Sequence, residues 1–347
     1  MTGESASRTK IKCVVWDLDG TLWDGVLLED EEVKLRDDMV ELIHVLDRRG
    51  VLNSVASRND AALAMAKLAE LGLAEMFVYP QIGWNAKSSS VATVARRLNV
   101  GIDALAFIDD QEFERAEVAR AHPAVLCLDP ASAAGAIATP AFTPRFVTED
   151  SRRRREMFRS QIRREDAEED FVGTPEEFLA QLGMRFTIRA ATRADLQRAE
   201  ELTVRTNQLN STGRTYSYEE LEALCASPDH LVLVAELEDV FGTYGTIGLA
   251  LVERGMPYWH LRLLLMSCRT MSRGVGTVLL NHVMSTARGH GAKLRADFVQ
   301  TGRNRLMQIT YAFAGFVEAE RDGAHVVLES DLERIQAHAP YIEVIAP

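Results

Sequence analysis

Asp17 and Asp19, Ser57, Lys87, and Asp109 with Asp110 are the residues whose types and spacing point first to chemistry. The first carboxylate pair follows the largely apolar run Ile11 to Trp16, the second follows Ala104 to Ile108, and Ser57 closes the run Val51 to Ala56. Runs of this kind are strands of a parallel sheet covered on both faces, and open sheets of that type bind ligands beyond the carboxyl ends of their strands. Carboxylates converging at one sheet edge cannot all stay ionised without a cation, and hard oxygen ligands select Mg²⁺. One carboxylate left partly free can attack a phosphoryl group while a hydroxyl and an ammonium hold the transferring oxygens. Singly, each residue has a plainer reading: a solvated surface lysine, a serine capping a helix, two acids in a surface turn. Their order along the chain carries the signal.

The elements that must position these groups alternate between strand and helix. Asp37 to Arg49 reads as an amphipathic helix, with Met39, Leu42, Ile43 and Leu46 at helical spacing and Gly50 at its end. Ala61 to Leu71 is a second helix closed by Gly72, Phe77 to Tyr79 a third strand, and Lys87 opens a helix running to Leu98. Leu126 to Pro130 is the last strand of this half, and Ala131 to Pro144 is a boundary rich in Ala, Pro and Thr. Such alternation implies right-handed βαβ units and a parallel sheet.

With 347 residues the chain is long enough for two domains. We expect a disordered tail over 1–10, a first α/β domain over 11–140, a charged helical linker over 141–182, a second mixed α/β domain over 183–335, and a tail over 336–347. Within the linker, Arg152 to Arg155, Arg159, Arg163 and Arg164 precede an acidic run from Glu165 to Asp170, read as a solvated connector helix or a dock for an acidic partner. Thr174 with Pro175 marks a helix start. A formal net charge of −12 disfavours nucleic acid as a bulk partner. No apolar run approaches the length of a bilayer span and residues 1–10 lack a secretory core, so the expectation is a cytoplasmic protein without membrane contact. The four cysteines are scattered without a CxxC pair, which argues for free thiols over a zinc site or disulfides.

In the second half, Met184 to Ala190 reads as a strand, Asp195 to Arg205 and Tyr218 to Cys225 as helices, and His230 to Glu236 with Thr246 to Glu253 as a hairpin-like pair. Trp259 to Met266 is a strand ending at Ser267-Cys268-Arg269, and Arg273-Gly274-Val275-Gly276-Thr277 opens a helix. Backbone N–H groups of such a turn bind phosphate groups well. Cys13, Cys127 and Cys225 read as small buried hydrophobes. Cys268 differs, because Arg269 and a helix N-terminus stand near enough to favour its thiolate, which could attack an acyl phosphate and hold the acyl group as a thioester.

DLDGTLW, SRND, a lysine and FIDD together resemble the four motifs of the haloacid dehalogenase-like phosphatases. That resemblance implies Asp17 as the nucleophile and Asp19 as general acid/base whose carbonyl also binds Mg²⁺. Thr21, Ser57, Arg58, Asn59 and Lys87 would hold phosphate. Asp109 and Asp110 would complete the metal set with Asp17 and Asp19, the direct ligand of the two being open. The spacing between motifs leaves no room for a cap domain, which favours a large or tethered substrate. Strand, glycine turn, helix, strand Leu294 to Val299, Asn304 and Tyr311 to Phe316 resemble the GNAT acyltransferases, in which splayed central strands hold an acyl carrier's phosphopantetheine arm. Met271 stands where that family has Arg or Gln, which points to a carrier-protein arm rather than free coenzyme A, with Arg269, Arg273, Gly274 and Gly276 around it. Over nearly the whole chain, DLDGTLWDGVLLEDEEV, SRND, PQIGW, FIDDQEFER, RTNQLNSTGRTYS and LLLMSCR resemble the FkbH-like glyceryl-carrier-protein synthases of methoxymalonyl extender-unit pathways in polyketide biosynthesis. The implied reaction takes 1,3-bisphosphoglycerate, removes its phosphates and leaves a glyceryl thioester on a holo acyl carrier protein. The alternative is a Mg²⁺-dependent phosphatase with a non-catalytic second domain.

Overall fold

The computed structural model describes residues 10–346 except Asn207 and Ser272, so the tail expected over 1–10 lies almost entirely outside the described residues. The chain divides into two compact units, Met1–Ile162 and Arg163–Pro347.

The first unit is built on a five-stranded sheet whose order in space is Gln81–Ile82, Leu52–Ser57, Cys13–Trp16, Leu105–Ile108, Leu126–Leu128. Every neighbouring pair is parallel. Cys13–Trp16 lies at the centre and is buried at all positions. Its alternate residues face opposite ways: Val14 and Trp16 pack with Met39, Ile43 and Leu46 of the Asp37–Arg48 helix, whereas Cys13 and Val15 pack with Val91, Val94 and Leu98 of the Lys87–Leu98 helix. Coverage on both faces is why this strand carries no polar alternation.

Three expectations need correction here. Phe77 makes only an isolated bridge to Asn53, after a 3₁₀ turn over Ala74–Met76, and the third strand is displaced to Gln81–Ile82. Tyr79, with φ of 50°, interrupts extended backbone where the apolar pattern called for it. Residues 131–144 are no boundary, because Pro130–Ile137 is a helix whose Asp129 N-cap accepts a hydrogen bond from Ala131 N and whose Ala133 and Ile137 are buried. Proline at the first helical turn starts a helix rather than ending one. The 141–182 segment is not a solvated linker: Phe142 and Phe158 are buried in the first unit's cores, and Phe178, Leu179 and Leu182 in the second unit's. Thr174 caps the Pro175–Gln181 helix in a reciprocal capping box with Glu177.

The second unit holds an eight-stranded mixed sheet, ordered Val317–Asp322, His325–Ser330, Lys293–Val299, Tyr258–Met266, Gly242–Glu253, His230–Asp239, Met184–Ala190, Ile342–Ile345. Residues 336–347, expected as a tail, instead supply the edge strand, with Ile342–Ile345 pairing in parallel with Met184–Thr187 and Ile342 buried. Four residues with alternate positions apolar were too short a run to stand out in sequence. The central parallel pair Tyr258–Met266 and Lys293–Val299 is joined by the helix Val275–Gly289, which buries Val278, Leu279, Val283 and Met284. These two strands pair only from Tyr258 with Lys293 to Leu261 with Ala296, and beyond that point they diverge. The expected α/β architecture, a parallel sheet followed by a mixed one, thus holds. No helix among the described residues is long and apolar enough to cross a membrane.

Candidate active site

The register of the first sheet delivers the acids to one edge. Trp16 lies level with Val55 and Ile108, so Asp17, Ser57 and Asp109 leave the carboxyl ends of neighbouring strands together. Asp17 N donates to Ile108 O (2.9 Å) and Asp109 N to Leu128 O (3.2 Å), which extends the ladder through both acids. Lys87 is the first residue of its helix, and its Nζ meets Asp17 Oδ1 at 2.6 Å and Asp109 Oδ2 at 2.5 Å. All three side chains are buried.

Asp17, Asp109 and the more exposed Asp110 each offer a carboxylate oxygen within 4.8 Å of the others. Three carboxylates face one ammonium, so the cluster is short of positive charge. Burial, reinforced by Asp109 and opposed by Lys87, pushes the Asp17 carboxyl up to about 7. Burial and then Asp109 also raise Asp110. For Lys87 burial disfavours the charge, yet Asp17 and Asp109 outweigh it and hold the ammonium above its ordinary range. A hard divalent cation fits this oxygen-only, net-negative set. Gly20 leaves the necessary space: its φ is +67°, and a Cβ there would lie 2.5 Å from Asp110 Oδ2.

The remaining residues singled out in the sequence surround this group with distinct partners. Asp19 stands outside the three-carboxylate group. Its Oδ1 accepts from Trp23 Nε1 (2.7 Å) and Leu27 N (3.0 Å), and its Oδ2 from Asn59 Nδ2 (2.9 Å). Buried Thr21 accepts at its hydroxyl from Asp110 N (3.0 Å), so it orients an acid here. Arg58 pairs with buried Glu114 at 3.1 Å, and the other oxygen of Glu114 has no hydrogen-bond partner among the described residues. Sequence reasoning missed Arg115, whose Nη1 donates to the carbonyls of both Asp109 and Asp110 at 2.7 Å and fixes their loop. It also missed Trp23, which begins the short hairpin of Trp23–Asp24 with Lys34–Leu35. A cation one turn into the helix after the acids was the available signal for Arg115.

In the second unit the diverging central strands leave the gap that the sequence assigned to a carrier arm. The chain fills that gap itself. Met266 N donates to Leu209 O (2.9 Å), Ser211 N to Leu264 O (3.0 Å), and Val299 N to Ser211 O (3.0 Å), so residues 209–211 bridge the two strands. Buried Asn304 ties them down, its Nδ2 donating to Asn210 O (3.2 Å) and Val299 O (2.9 Å). The expectation of splayed strands open to an arm is therefore corrected, and the unpaired backbone groups explain why something must lie there. Cys268 begins a 3₁₀ turn just past the strand and is half-buried. Arg269 donates to Tyr244 O (2.8 Å), and buried Arg273 pairs with Glu168 at 3.1 Å. Gly274, with φ of 76°, precedes the Val275–Gly289 helix, while Gly276 borders a hollow of about 40 Å³ with Leu264 and Met266, room for little more than a water.

No protein-family model matches the sequence, and no curated protein matches it. Among solved structures, 36% of the chain is similar, at 28% identity and a TM-score of 0.32, to 38% of the N-terminal part of BF1531 from Bacteroides fragilis, which contains a phosphatase domain complexed with Mg. The chain thus spans well under half of that protein. Likewise, 42% of the chain is similar to 97% of the PaiA N-acetyltransferase from Thermoplasma acidophilum in complex with coenzyme A, at 17% identity and a TM-score of 0.34. The same share is similar to 90% of the ribosomal-protein-S18-alanine N-acetyltransferase from Escherichia coli, at 17% identity and a TM-score of 0.33. At TM-scores this low the reading of each unit rests on its own topology and side chains.

Proposed function

We propose that the chain is a bifunctional phosphatase and glyceryl transferase, taking the glyceryl group of 1,3-bisphosphoglycerate to the phosphopantetheine thiol of an acyl carrier protein with dephosphorylation. The observation that supports it most is the buried Asp17–Lys87–Asp109 cluster with Asp110 beside it at the carboxyl edge of a parallel sheet. Asp17, Asp110 or Asp109, and the carbonyl of Asp19 would hold Mg²⁺, which supplies charge neutralisation for a phosphoryl group. Asp17 Oδ attacks phosphorus, the bond to the sugar-acid oxygen breaks, and Asp19 gives that oxygen its proton once released from Trp23 and Asn59. Lys87 and Ser57 hold the transferring oxygens. Water then cleaves the aspartyl-phosphate, with Asp19 as base.

At the second unit, Cys268 sulfur bonds the carbonyl carbon of the acyl phosphate and phosphate leaves, giving a glyceryl thioester that the carrier thiol takes over. A precursor role for methoxymalonyl units of a polyketide antibiotic, in the cytoplasm, belongs to the same proposal. The test is incubation with 1,3-bisphosphoglycerate, Mg²⁺ and a holo carrier, following intact mass of both proteins. Glyceryl on the carrier, lost in Cys268→Ala, is expected; a glyceryl adduct on the enzyme persisting in Cys268→Ala removes Cys268 from the pathway.

A second reading has its own observation. Residues 209–211 close the strand gap, and Arg273 is engaged by Glu168, which favours a Mg²⁺-dependent phosphatase whose second unit binds a carrier without catalysis. Glyceryl loading abolished by Asp17→Asn but unaffected by Cys268→Ala would select that reading.

A further inference from the structure

A cavity of about 680 Å³ opens in the second unit beside Val299, lined also by Tyr216, Leu251, Glu253, Arg262, Asp297 and His325 among others. Its wall contains an organised acid. Asp297 Oδ1 meets His260 Nε2 at 2.9 Å and His325 Nε2 at 3.0 Å, and its Oδ2 accepts from Arg262 Nη1 at 3.1 Å. Burial raises the Asp297 carboxyl, but the hydrogen bonds from His260, Arg262 and His325 outweigh it and bring it down to about 2. An ionised carboxylate only accepts, so both imidazoles must carry their proton on Nε2. In the neutral ring Nδ1 is then the unprotonated nitrogen.

The strand alternates regularly as far as Arg262, so His260 and Arg262 share the face that meets Asp297. Val252 pairs with Leu261 and Leu251 with Leu263, and the bulge left at Arg262 turns Leu263 and Leu265 to that face as well. The guanidinium is clamped by Glu253 (2.7 Å) as well as Asp297. Of the two imidazoles, His325 is the one that lines the cavity, with its side chain 45% exposed against 20% for His260.

We propose that this cavity is where the acyl acceptor is activated, with His325 Nδ1 as the general base for a thiol or hydroxyl nucleophile and Asp297 holding the ring in the competent tautomer. The S–H or O–H bond breaks and its proton goes to Nδ1. The freed lone pair bonds the acyl carbonyl carbon, and the bond to the leaving group, phosphate or thiolate, breaks with that group keeping the pair. The imidazolium then returns the proton to the leaving group. This rests on the acyl-transfer reading above, in which the acceptor is the carrier thiol.

The test compares wild type, His325→Ala and Asp297→Asn in two reactions. One is glyceryl loading of a holo carrier, and the other is release of p-nitrophenol from p-nitrophenyl acetate by free pantetheine or by glycerol, which separates thiol from hydroxyl acceptors. His325→Ala is expected to lose roughly 10²-fold or more in acceptor-dependent rate, with phosphate release at the Asp17 site unchanged. Added imidazole should restore the rate, which a purely structural histidine would not allow. If wild type loads no carrier but its pantetheine- or glycerol-dependent release falls in His325→Ala and returns with imidazole, the function reading fails while the cavity assignment stands. Acceptor-dependent rates within twofold of wild type in His325→Ala, or a loss that imidazole leaves untouched, overturn the assignment.

Discussion

The two sheets of this chain treat the carboxyl ends of their central parallel strands in opposite ways. In the first, the ends of Cys13–Trp16 and Leu105–Ile108 carry acids that crowd around one lysine, and the cluster stays short of positive charge. In the second, the ends of Tyr258–Met266 and Lys293–Val299 part, and residues 209–211 satisfy the freed backbone from within the chain. One edge is thus unfinished without a ligand, and the other is finished by the protein. The difference teaches that a strand end becomes a site when its leftover demand, charge or hydrogen bonding, is one the chain does not meet itself.

The largest effect is expected where the demand is greatest. Lys87→Met leaves Asp17 and Asp109 buried without their ammonium and should lower unfolding free energy in chelator by about 3 kcal/mol. Mg²⁺ should return part of that loss, read by urea denaturation with and without the ion. Equal stability of Lys87→Met with and without Mg²⁺ would mean that the edge is not short of positive charge. Next, Asn304→Ala removes the donor that ties residues 209–211 to the second sheet and should cost about 2 kcal/mol in that unit's unfolding. Phosphate release should not change, and a parallel fall in both would break the contrast between the regions.

Smaller effects refine it. Gly20→Ala forces a Cβ against Asp110 at a positive φ, so the Mg²⁺ concentration for half-maximal phosphate release should rise about tenfold, near 1.4 kcal/mol. Finally, Asp297 is depressed to about 2 from its ordinary 3.8 in the folded protein. Its stabilisation is therefore complete above about pH 4 and lost as pH falls toward 2. The urea-midpoint gap between wild type and Asp297→Asn, worth about 1 kcal/mol after discounting for solvent screening, should close over that window. A gap that is constant between pH 5 and pH 2 would contradict the assignment of Asp297 as a depressed acid.

What was legible in the sequence follows the same division. Asp17, Ser57 and Asp109 were readable because an apolar run that stops at a polar residue fixes both the strand and the place where its last side chain emerges, and Lys87 was readable only from its place at a helix start in the order of the motifs. Arg115 was not, because its role is to donate to two carbonyls, and backbone acceptors leave no mark in a sequence. Gln81–Ile82 was missed because Tyr79 adopts a left-handed conformation that a non-glycine residue rarely announces. Pro130 was read as a stop when its position one residue after Asp129 made it a start. Residues 209–211 had a recognisable pattern, but nothing local says that their backbone serves as a third strand between two others. The cavity at Asp297 was not legible because His260 and Arg262, Asp297 and His325 come from three separate strands, and the bulge at Arg262 shifts every face assignment after it.

The proposed nucleophile Asp17 is tested by acid-quenched intact-protein mass after brief mixing with 1,3-bisphosphoglycerate and Mg²⁺, followed by peptide mapping. A mass gain of one phosphoryl group is expected on the Asp17 peptide, labile to hydroxylamine, absent in Asp17→Asn and absent without Mg²⁺. Release of the ester phosphate from wild type with no such adduct at any quench time, or ester-phosphate release that persists in Asp17→Asn, would contradict that role.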